Sequence, residues 1–290
     1  YIATTVSTIR LLRSGQAHYD IAPARENTAR PAMLLEMRRA AGPVAARREG
    51  RGFRARDFAT IASTFDRSTR RGMLEWAVAL GAHSMLLRGG EVGHMQRAVF
   101  DAARGITLAS VTTRRPEASS RGLPWVTIDV TAIKDVRATH RPVPVPIRQR
   151  VQGGGDGDPL CAYSAVMRLY RQRCAEVPQC AGPCVWCRRA AGALKPGGQP
   201  PVSCARANAP LFAGTDGRAL STAAIKEIGK RMARMAGIPE DAVAGRLWRV
   251  GGATDLRDTL GMGEGAAMIK ERGRWASDIA FVYARALIGQ

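Results

Sequence analysis

The segment Arg246-Leu-Trp-Arg-Val-Gly-Gly-Ala-Thr254 lies near the end of a chain of 290 residues. It is followed by Gly273-Arg-Trp275 and then by a single tyrosine, Tyr283. Guanidinium groups stabilise negative charge that develops on a phosphate, and a phenol can act as a nucleophile. Arginines and a tyrosine in this order therefore indicate chemistry on a phosphodiester.

The charge of the whole chain agrees with a polyanionic partner. The 44 Lys and Arg residues outnumber the 24 Asp and Glu residues, which gives a formal net charge of +20. Most of these cations are arginines, which suit bidentate contacts with phosphate, although a GC-rich coding sequence would produce the same bias. We expect nucleic acid to be the main partner.

The hydropathy pattern predicts a folded protein without a membrane partner. Hydrophobic residues make up 46% of the chain, enough to bury a core in one large domain or two small ones. No stretch approaches 18 apolar residues, and the amino terminus lacks the pattern of a signal peptide. We expect an intracellular protein, nuclear if the source is eukaryotic and cytoplasmic if it is bacterial.

Composition along the chain predicts three regions. Residues 1–41 contain helical runs that are too few to form a core alone, so they are predicted to be the remnant of a larger helical domain. Residues 42–55 are rich in Gly and Arg and form a predicted basic linker, and residues 56–290 form the main domain. The chain begins at Tyr1 rather than Met, so we expect a fragment.

Periodicity within the main domain predicts a mainly helical α+β fold with a small antiparallel sheet. Helical spacing runs from Asp57 to about Arg104 and resumes at about Leu160, Thr222, Asp255 and Ser277. The segments 125–131 and 143–147 alternate with period two and predict two strands. Prolines in the second segment place it at an edge of the sheet.

Several residues upstream complete a pattern with the carboxy-terminal motif. Arg88 lies in Leu86-Leu-Arg-Gly-Gly-Glu-Val92, and Lys134 follows the first predicted strand. With Arg249, Gly273-Arg-Trp-Ala-Ser-Asp278 and Tyr283, the order and spacing resemble the catalytic domain of the tyrosine recombinases, or phage-integrase family. The resemblance is greatest to the eukaryotic retroelement and crypton-like branch. It implies that residues 1–41 end a DNA-binding core-binding domain.

The resemblance implies a role for each of these residues. Arg88 and Arg249 would bind the nonbridging oxygens of the scissile phosphate, and Tyr283 would attack it to form a 3′-phosphotyrosine. Lys134, the only lysine before residue 195, would donate a proton to the departing 5′-oxygen. Arg274 would complete the set, with Glu91 and Trp275 in supporting positions.

One position departs from the family pattern. The histidine that the family places three residues before the second arginine is Arg246 here, and the four histidines of the chain lie at residue 140 or earlier. An arginine can stabilise charge but cannot readily accept a proton. We nevertheless expect an active enzyme, because Arg88, Lys134, Arg249 and Tyr283 are all present.

All six cysteines lie between the predicted sheet and the second arginine motif, most of them in a predicted insertion at about 171–207. Thiolates at short spacing could hold a tetrahedral zinc ion. The alternatives are reduced thiols in an inserted loop, or disulfides. The candidate zinc ligands are Cys174, Cys180, Cys184 and Cys187.

The sequence therefore predicts a site-specific recombinase or integrase of a mobile element, acting on double-stranded DNA. The resemblance implies that no cofactor is required and that the active form is a homo-tetramer on DNA. Only seven residues follow Tyr283, so we expect a very short or missing exchange helix. The alternatives are a catalytically inactive DNA-binding protein on the same fold and a type IB topoisomerase-like enzyme.

Overall fold

The computed structural model describes seven parts of the chain, residues 52–94, 100–114, 123–131, 142–150, 158–178, 204–240 and 247–274. The chain divides into two units, Tyr1–Arg48 and Glu49–Gln290, and all described residues belong to the second unit. The predicted boundaries at residues 41 and 55 stay predictions. Phe53, near the end of the predicted linker, is fully buried.

Helices account for most of the secondary structure in the described residues. A short 3₁₀ helix, Leu108–Ser110, precedes the first strand. The α-helices are α1 (Ala55–Ile61), α2 (Arg70–Ser84), α3 (Gly89–Val92), α4 (Ala162–Glu176), α5 (Ala205–Asn208), α6 (Thr222–Met235) and α7 (Leu247–Gly273).

Helix α2 is the centre of the core. It begins after Thr69, whose hydroxyl accepts a hydrogen bond from the backbone N–H of Gly72, a favourable amino-terminal cap. Every residue from Leu74 to Ala82 is buried, so α2 presents apolar surface on all sides. It packs against α4, α6 and α7, which surround it.

Aromatic side chains join the first described segment to this core. The ring of Phe58 on α1 lies 4.7 Å from that of Phe53 and 5.9 Å from those of Trp76 and Trp248, measured between centroids. The backbone N–H of Phe53 donates to the carbonyl of Leu247 at 3.1 Å. The chain around Phe53 is therefore fastened to the start of α7, which carries Arg249.

Three antiparallel strands form the sheet, β1 (Val111–Arg114), β2 (Trp125–Val130) and β3 (Val143–Arg148), in the order β1-β2-β3. Alternate residues of β2 are buried, as period-two patterning predicts for a sheet with one face on the core. β3 lies at the edge, where its prolines remove no required hydrogen bond. The two strands predicted from the sequence are present, and β1 is an additional strand.

Helix α6 shows the amphipathic pattern most clearly. The hydroxyl of Ser221 caps it by accepting from the backbone N–H of Ala224. Ile225, Ile228 and Met232 are buried at helical spacing, whereas the neighbouring charged side chains face solvent. Burial of these side chains holds α6 against α2.

Helix α7 contains a kink at Gly261, whose φ of 74° and ψ of −178° lie outside the helical region. This combination of angles is accessible essentially only to glycine. The helix begins at Leu247, eight residues before the predicted start at Asp255. The kink sets the direction of the second half of the helix, which ends immediately before Arg274.

The predicted fold class, mainly helical α+β with a small antiparallel sheet, is confirmed. In the part of the chain that the structure describes, no helix combines the length and the apolar character that are needed to cross a membrane.

Candidate active site

Arg88 lies where the chain turns from α2 into α3. The connecting residues Met85 to Leu87 are buried, and Leu86 adopts a positive φ of 52°. Arg88 precedes the first turn of α3, where its backbone N–H donates to Glu91 Oε2 at 2.7 Å and its Nη1 donates to Oε1 at 3.0 Å. The same carboxylate thus holds both the main chain and the side chain of Arg88.

Arg249 projects from the first half of α7 into this turn and is only 4% exposed. Its Nη1 donates to the carbonyl of Leu86 at 3.1 Å, and its Nη2 donates to the carbonyl of Gly273. Nη1 also lies 4.0 Å from Oε2 of Glu91. Main-chain carbonyls from two distant segments therefore fix the orientation of this guanidinium.

Gly251 and Gly252 allow α7 to approach the neighbouring backbone closely. A Cβ atom at Gly251 would lie 1.8 Å from the carbonyl oxygen of Phe53, and one at Gly252 would lie 2.1 Å from that of His83. Both neighbours are backbone atoms, which cannot rotate away. The glycine pair is therefore a steric requirement of the position in which α7 places Arg249.

Arg274 follows α7 with a positive φ of 51°. Its Nη2 donates to Glu91 Oε2 at 2.5 Å, and its Nη1 donates to the carbonyl of Arg272 at 2.8 Å. Burial lowers the pKa of Arg274, while the carboxylate of Glu91 acts in the opposite direction, and a guanidinium remains charged in either case. The Nε atom of Arg274 is buried and has no acceptor among the described residues.

Three guanidinium groups thus converge on one carboxylate. The side chains of Glu91, Arg274 and Arg249 are 1%, 4% and 5% exposed, whereas that of Arg88 is 30% exposed. The group carries a formal charge of +2, because one carboxylate balances one of three cations. A buried excess of positive charge attracts an anion strongly, since a low-dielectric surrounding screens it weakly. A phosphate carries the opposite charge, and Arg88 is the member of the group that is most exposed to solvent.

A second network fastens α7 to the segments before it. Arg54 donates through Nε to Asp255 Oδ1 at 2.5 Å and through Nη2 to Asp258 Oδ2 at 2.5 Å. The Nε2 atom of His83 lies 2.9 Å from Asp255 Oδ2. Burial would raise the pKa of Asp255, but the hydrogen bonds from His83 and Arg54 outweigh it and lower that pKa.

The sequence-predicted residues fall into two groups. The structure brings together Arg88, Glu91, Arg249 and Arg274. The remaining predicted positions lie outside the described residues, so their placement stays a prediction: Lys134, Arg246, Trp275 and Tyr283. Sequence reasoning missed the network of Arg54, His83 and Asp255, because its members lie up to 201 positions apart and form no motif.

The zinc prediction also stays untested. Cys180, Cys184 and Cys187 lie outside the described residues. Cys174, on α4, is a free thiol whose pKa is raised, mainly by burial. Within the described ranges, no group of three or more His, Cys, Asp or Glu side chains is arranged to hold a metal ion.

Comparisons with known proteins give a structural likeness and no sequence match. No family model matches the chain, and no curated protein matches it. Among solved structures, the chain is similar to the XerH site-specific recombinase bound to palindromic difH substrate in a post-cleavage complex. The TM-score is 0.47 and the identity 13%, over 83% of this chain and 51% of the other. The chain therefore spans about half the length of that recombinase.

Proposed function

We propose that this protein cuts and rejoins double-stranded DNA at specific sites by transesterification, as the tyrosine recombinases do. One observation carries the proposal. Arg88 comes from the turn between α2 and α3, Arg249 and Arg274 come from the two ends of α7, and all three meet at one buried carboxylate, that of Glu91. An arrangement of this kind stabilises the charge that develops on a phosphate during transfer.

The proposed reaction needs a nucleophile, a charge clamp and a proton donor. The Oη atom of Tyr283 attacks phosphorus, a tyrosine–phosphate bond forms, and the bond to the 5′-oxygen breaks. The phenol proton passes to solvent, and Lys134 supplies a proton to the 5′-oxygen. Attack by that 5′-hydroxyl, or by one from a second duplex, reverses the step and rejoins a strand without an external energy source.

The described arginines would provide the clamp. Arg88 is the most exposed of the three and would meet the phosphate first. Arg249, held by carbonyls of Leu86 and Gly273, would offer a donor that needs little reorganisation when charge develops. Removal of one such donor costs about a hundredfold to a thousandfold in rate in well-studied enzymes.

The proposed partner is duplex DNA, and a tetramer on two duplexes is the proposed active assembly. The formal charge of +20 supports a polyanionic partner, because it raises both affinity and association rate. Integration or recombination of a mobile element is the biological process that we propose for this reaction.

Covalent trapping tests the proposal. A pool of duplexes with randomised sequence and a nick at varied positions is incubated with the protein, so that the cut strand cannot be rejoined. We expect an adduct that resists denaturation and forms with wild-type protein and with Tyr163→Phe, the matched control. Tyr283→Phe should form none. Because the proposed mechanism needs no metal, the adduct should form equally in EDTA.

Three other outcomes separate the rival functions. Absence of an adduct with wild-type protein, together with retained DNA binding, would favour an inactive DNA-binding protein on the same fold. Relaxation of supercoiled DNA without recombinant product would favour a type IB topoisomerase-like enzyme. An adduct formed equally by Tyr283→Phe would assign the nucleophile to another residue.

A further inference from the structure

A cavity of about 250 Å³ lies between α1, α2, β3, the start of α4 and the end of α7. Arg272, which lines it, is two residues before Arg274 of the arginine cluster, the group formed by Arg88, Arg249 and Arg274. The apolar side chains that line it include Phe58, Leu80 and Ile147. This volume is several times that of one water molecule, so the cavity has room for a phosphate group.

Arginines from two elements line this cavity. Arg148 ends β3, Arg150 lies two residues further on, and Arg272 lies near the end of α7. No Asp or Glu is among the described residues that line it. Asp158 lies 3.6 Å from Arg150, so that cation is partly neutralised from outside the cavity.

Arg148 and Arg272 are the other two arginines of this group, and their positive charges repel each other. Burial lowers the pKa of Arg272, the adjacent Glu271 raises it, and repulsion from Arg148 lowers it further. Within the described residues, neither Arg148 nor Arg272 has a carboxylate oxygen within 4 Å. Arg148 is exposed and Arg272 is half-buried, so solvent screens part of the repulsion between them, and an anion bound by both would remove the rest.

We propose that this cavity is a second phosphate-binding site, with Arg148 and Arg272 as the groups that bind the anion. Phosphate suits the pair because its oxygens can accept bidentate bonds from two guanidinium groups at once. We expect this phosphate to come from the backbone of the DNA that, in the proposed function, binds at the arginine cluster. This source therefore rests on the proposed function. A free nucleotide offers the same chemistry.

A phosphate bound in this cavity would affect the position of Arg274. The carbonyl of Arg272 accepts a hydrogen bond from Nη1 of Arg274 at 2.8 Å, and Arg274 in turn bonds Glu91. A phosphate bound by Arg272 would restrain this carboxy-terminal segment. DNA held at the cavity would therefore help to keep Arg274 in position.

The test compares three variants, Arg148→Gln, Arg272→Gln and the matched control Arg168→Gln, an exposed arginine on α4 that does not line the cavity. Binding of a 30-base-pair duplex is measured by fluorescence anisotropy at several salt concentrations. Each lost phosphate contact should reduce the slope of log affinity against log salt by about 0.9. We expect this reduction in both cavity variants and not in the control, with affinity weakened roughly three- to tenfold.

A second measurement distinguishes the source of the phosphate. Inorganic phosphate and a deoxynucleoside monophosphate are titrated while the melting temperature is followed, because ligands that bind the folded state raise it. If the cavity variants keep the wild-type salt slope while phosphate or the nucleotide raises the melting temperature of wild-type protein and not that of Arg272→Gln, the site is assigned to a free phosphate compound. If the cavity variants match Arg168→Gln in both measurements, the site does not exist.

Neither measurement requires cleavage, so the two proposals can fail separately. If wild-type protein forms no covalent adduct but Arg272→Gln still reduces the salt slope, only the recombinase proposal is overturned. If wild-type protein forms the adduct but neither Arg148→Gln nor Arg272→Gln changes DNA affinity or the melting temperature, only the second site is overturned.

Discussion

Arg274 donates to the carboxylate of Glu91 at 2.5 Å, although 183 positions separate the two residues in the chain. The bond joins the end of α7 to the first turn of α3. Because the same carboxylate also holds Arg88, the position of Arg274 is tied to that of Arg88. One buried acid thus sets the spacing of two cations that the proposed reaction requires.

Replacement of Glu91 by Gln should destabilise the protein. The change leaves buried guanidinium groups without their shared counter-charge, and removal of one partner from a buried ion pair costs about 3 kcal/mol or more. The free energy of unfolding, measured in urea, should fall by about that amount. Glu227→Gln is the control, because Glu227 pairs with Lys230 at the surface and is 63% exposed. A Glu91→Gln protein as stable as wild type would show that the arginines do not depend on this acid.

Alanine at Gly251 or Gly252 should also be strongly destabilising. The added Cβ would overlap the backbone of Phe53 or His83, so α7 would have to move. We expect the free energy of unfolding to fall by about 2–4 kcal/mol, as in severe overpacking of a core. The yield of covalent adduct should fall by a larger factor than the stability does. Gly90→Ala is the matched control, because a Cβ there meets no atom within 4 Å.

If Gly252→Ala is as stable as Gly90→Ala, then α7 does not need its close approach to α2. A stable Gly252→Ala protein without adduct would instead mean that a small shift of Arg249 is enough to stop the proposed chemistry.

Sequence periodicity predicts those parts of the fold in which buried residues recur at a regular spacing along the chain. The alternation from Trp125 to Val130 identified β2, and the helical spacing from Asp57 onward identified α1 and α2. β1 was missed because four residues, Val111–Arg114, are too few to establish a period. The early start of α7 was missed because its second turn contains the glycine pair.

The candidate site could be predicted only where a role depends on residue type and order. Arg88, Arg249 and Arg274 were named in this way, and Glu91 was named because the resemblance implies an acidic residue one helical turn after Arg88; their roles in the reaction stay predictions. The carbonyls that orient Arg249 carry no sequence signal, because every residue has one. The pairing of His83 with Asp255 depends on how α2 and α7 pack, which spacing along the chain does not report.

The kink in α7 predicts a glycine-specific effect at position 261. The angles of Gly261 are strained for any residue with a Cβ atom, at a cost of about 1–3 kcal/mol. Gly261→Ala should therefore lower stability, although alanine favours helices and nothing lies within 4 Å of the added atom. Urea denaturation measures the change. Increased stability would mean that the helix straightens at no cost, and that Arg274 can reach Glu91 without the kink.

The low pKa of Glu176 predicts a contribution to stability that is present at neutral pH and lost in acid. Burial would raise its pKa, but hydrogen bonds from Arg70, Arg173 and Gln172 lower it from the ordinary 4.5 to about 2. A depressed pKa stabilises the folded state above about pH 4.5, and this contribution is lost as the pH falls toward 2. Glu176→Gln should lower stability at neutral pH and flatten the stability curve between those values.

Stability measured in urea at closely spaced pH values tests this expectation. The control is Glu240→Gln, because Glu240 is exposed and pairs with Arg234 at the surface, at 3.3 Å. An equal change in slope for the Glu176 and Glu240 variants would attribute the acid sensitivity to net charge rather than to the Glu176 network.

Arg246 offers the sharpest test of the proposed chemistry. In the family that the chain resembles, a histidine occupies this position, and an imidazole can exchange protons near neutral pH whereas a guanidinium cannot. Arg246→His should increase the rate of adduct formation by about tenfold or more, since proton transfer by a positioned side chain contributes about 10² to 10⁴. The rate should also acquire a dependence on pH near 6.5 that wild-type protein lacks. Arg246→Gln is the control, because it removes the cation without supplying a titratable group. If Arg246→His is no faster than Arg246→Gln and has the same pH profile, Arg246 does not occupy the position of the family's histidine.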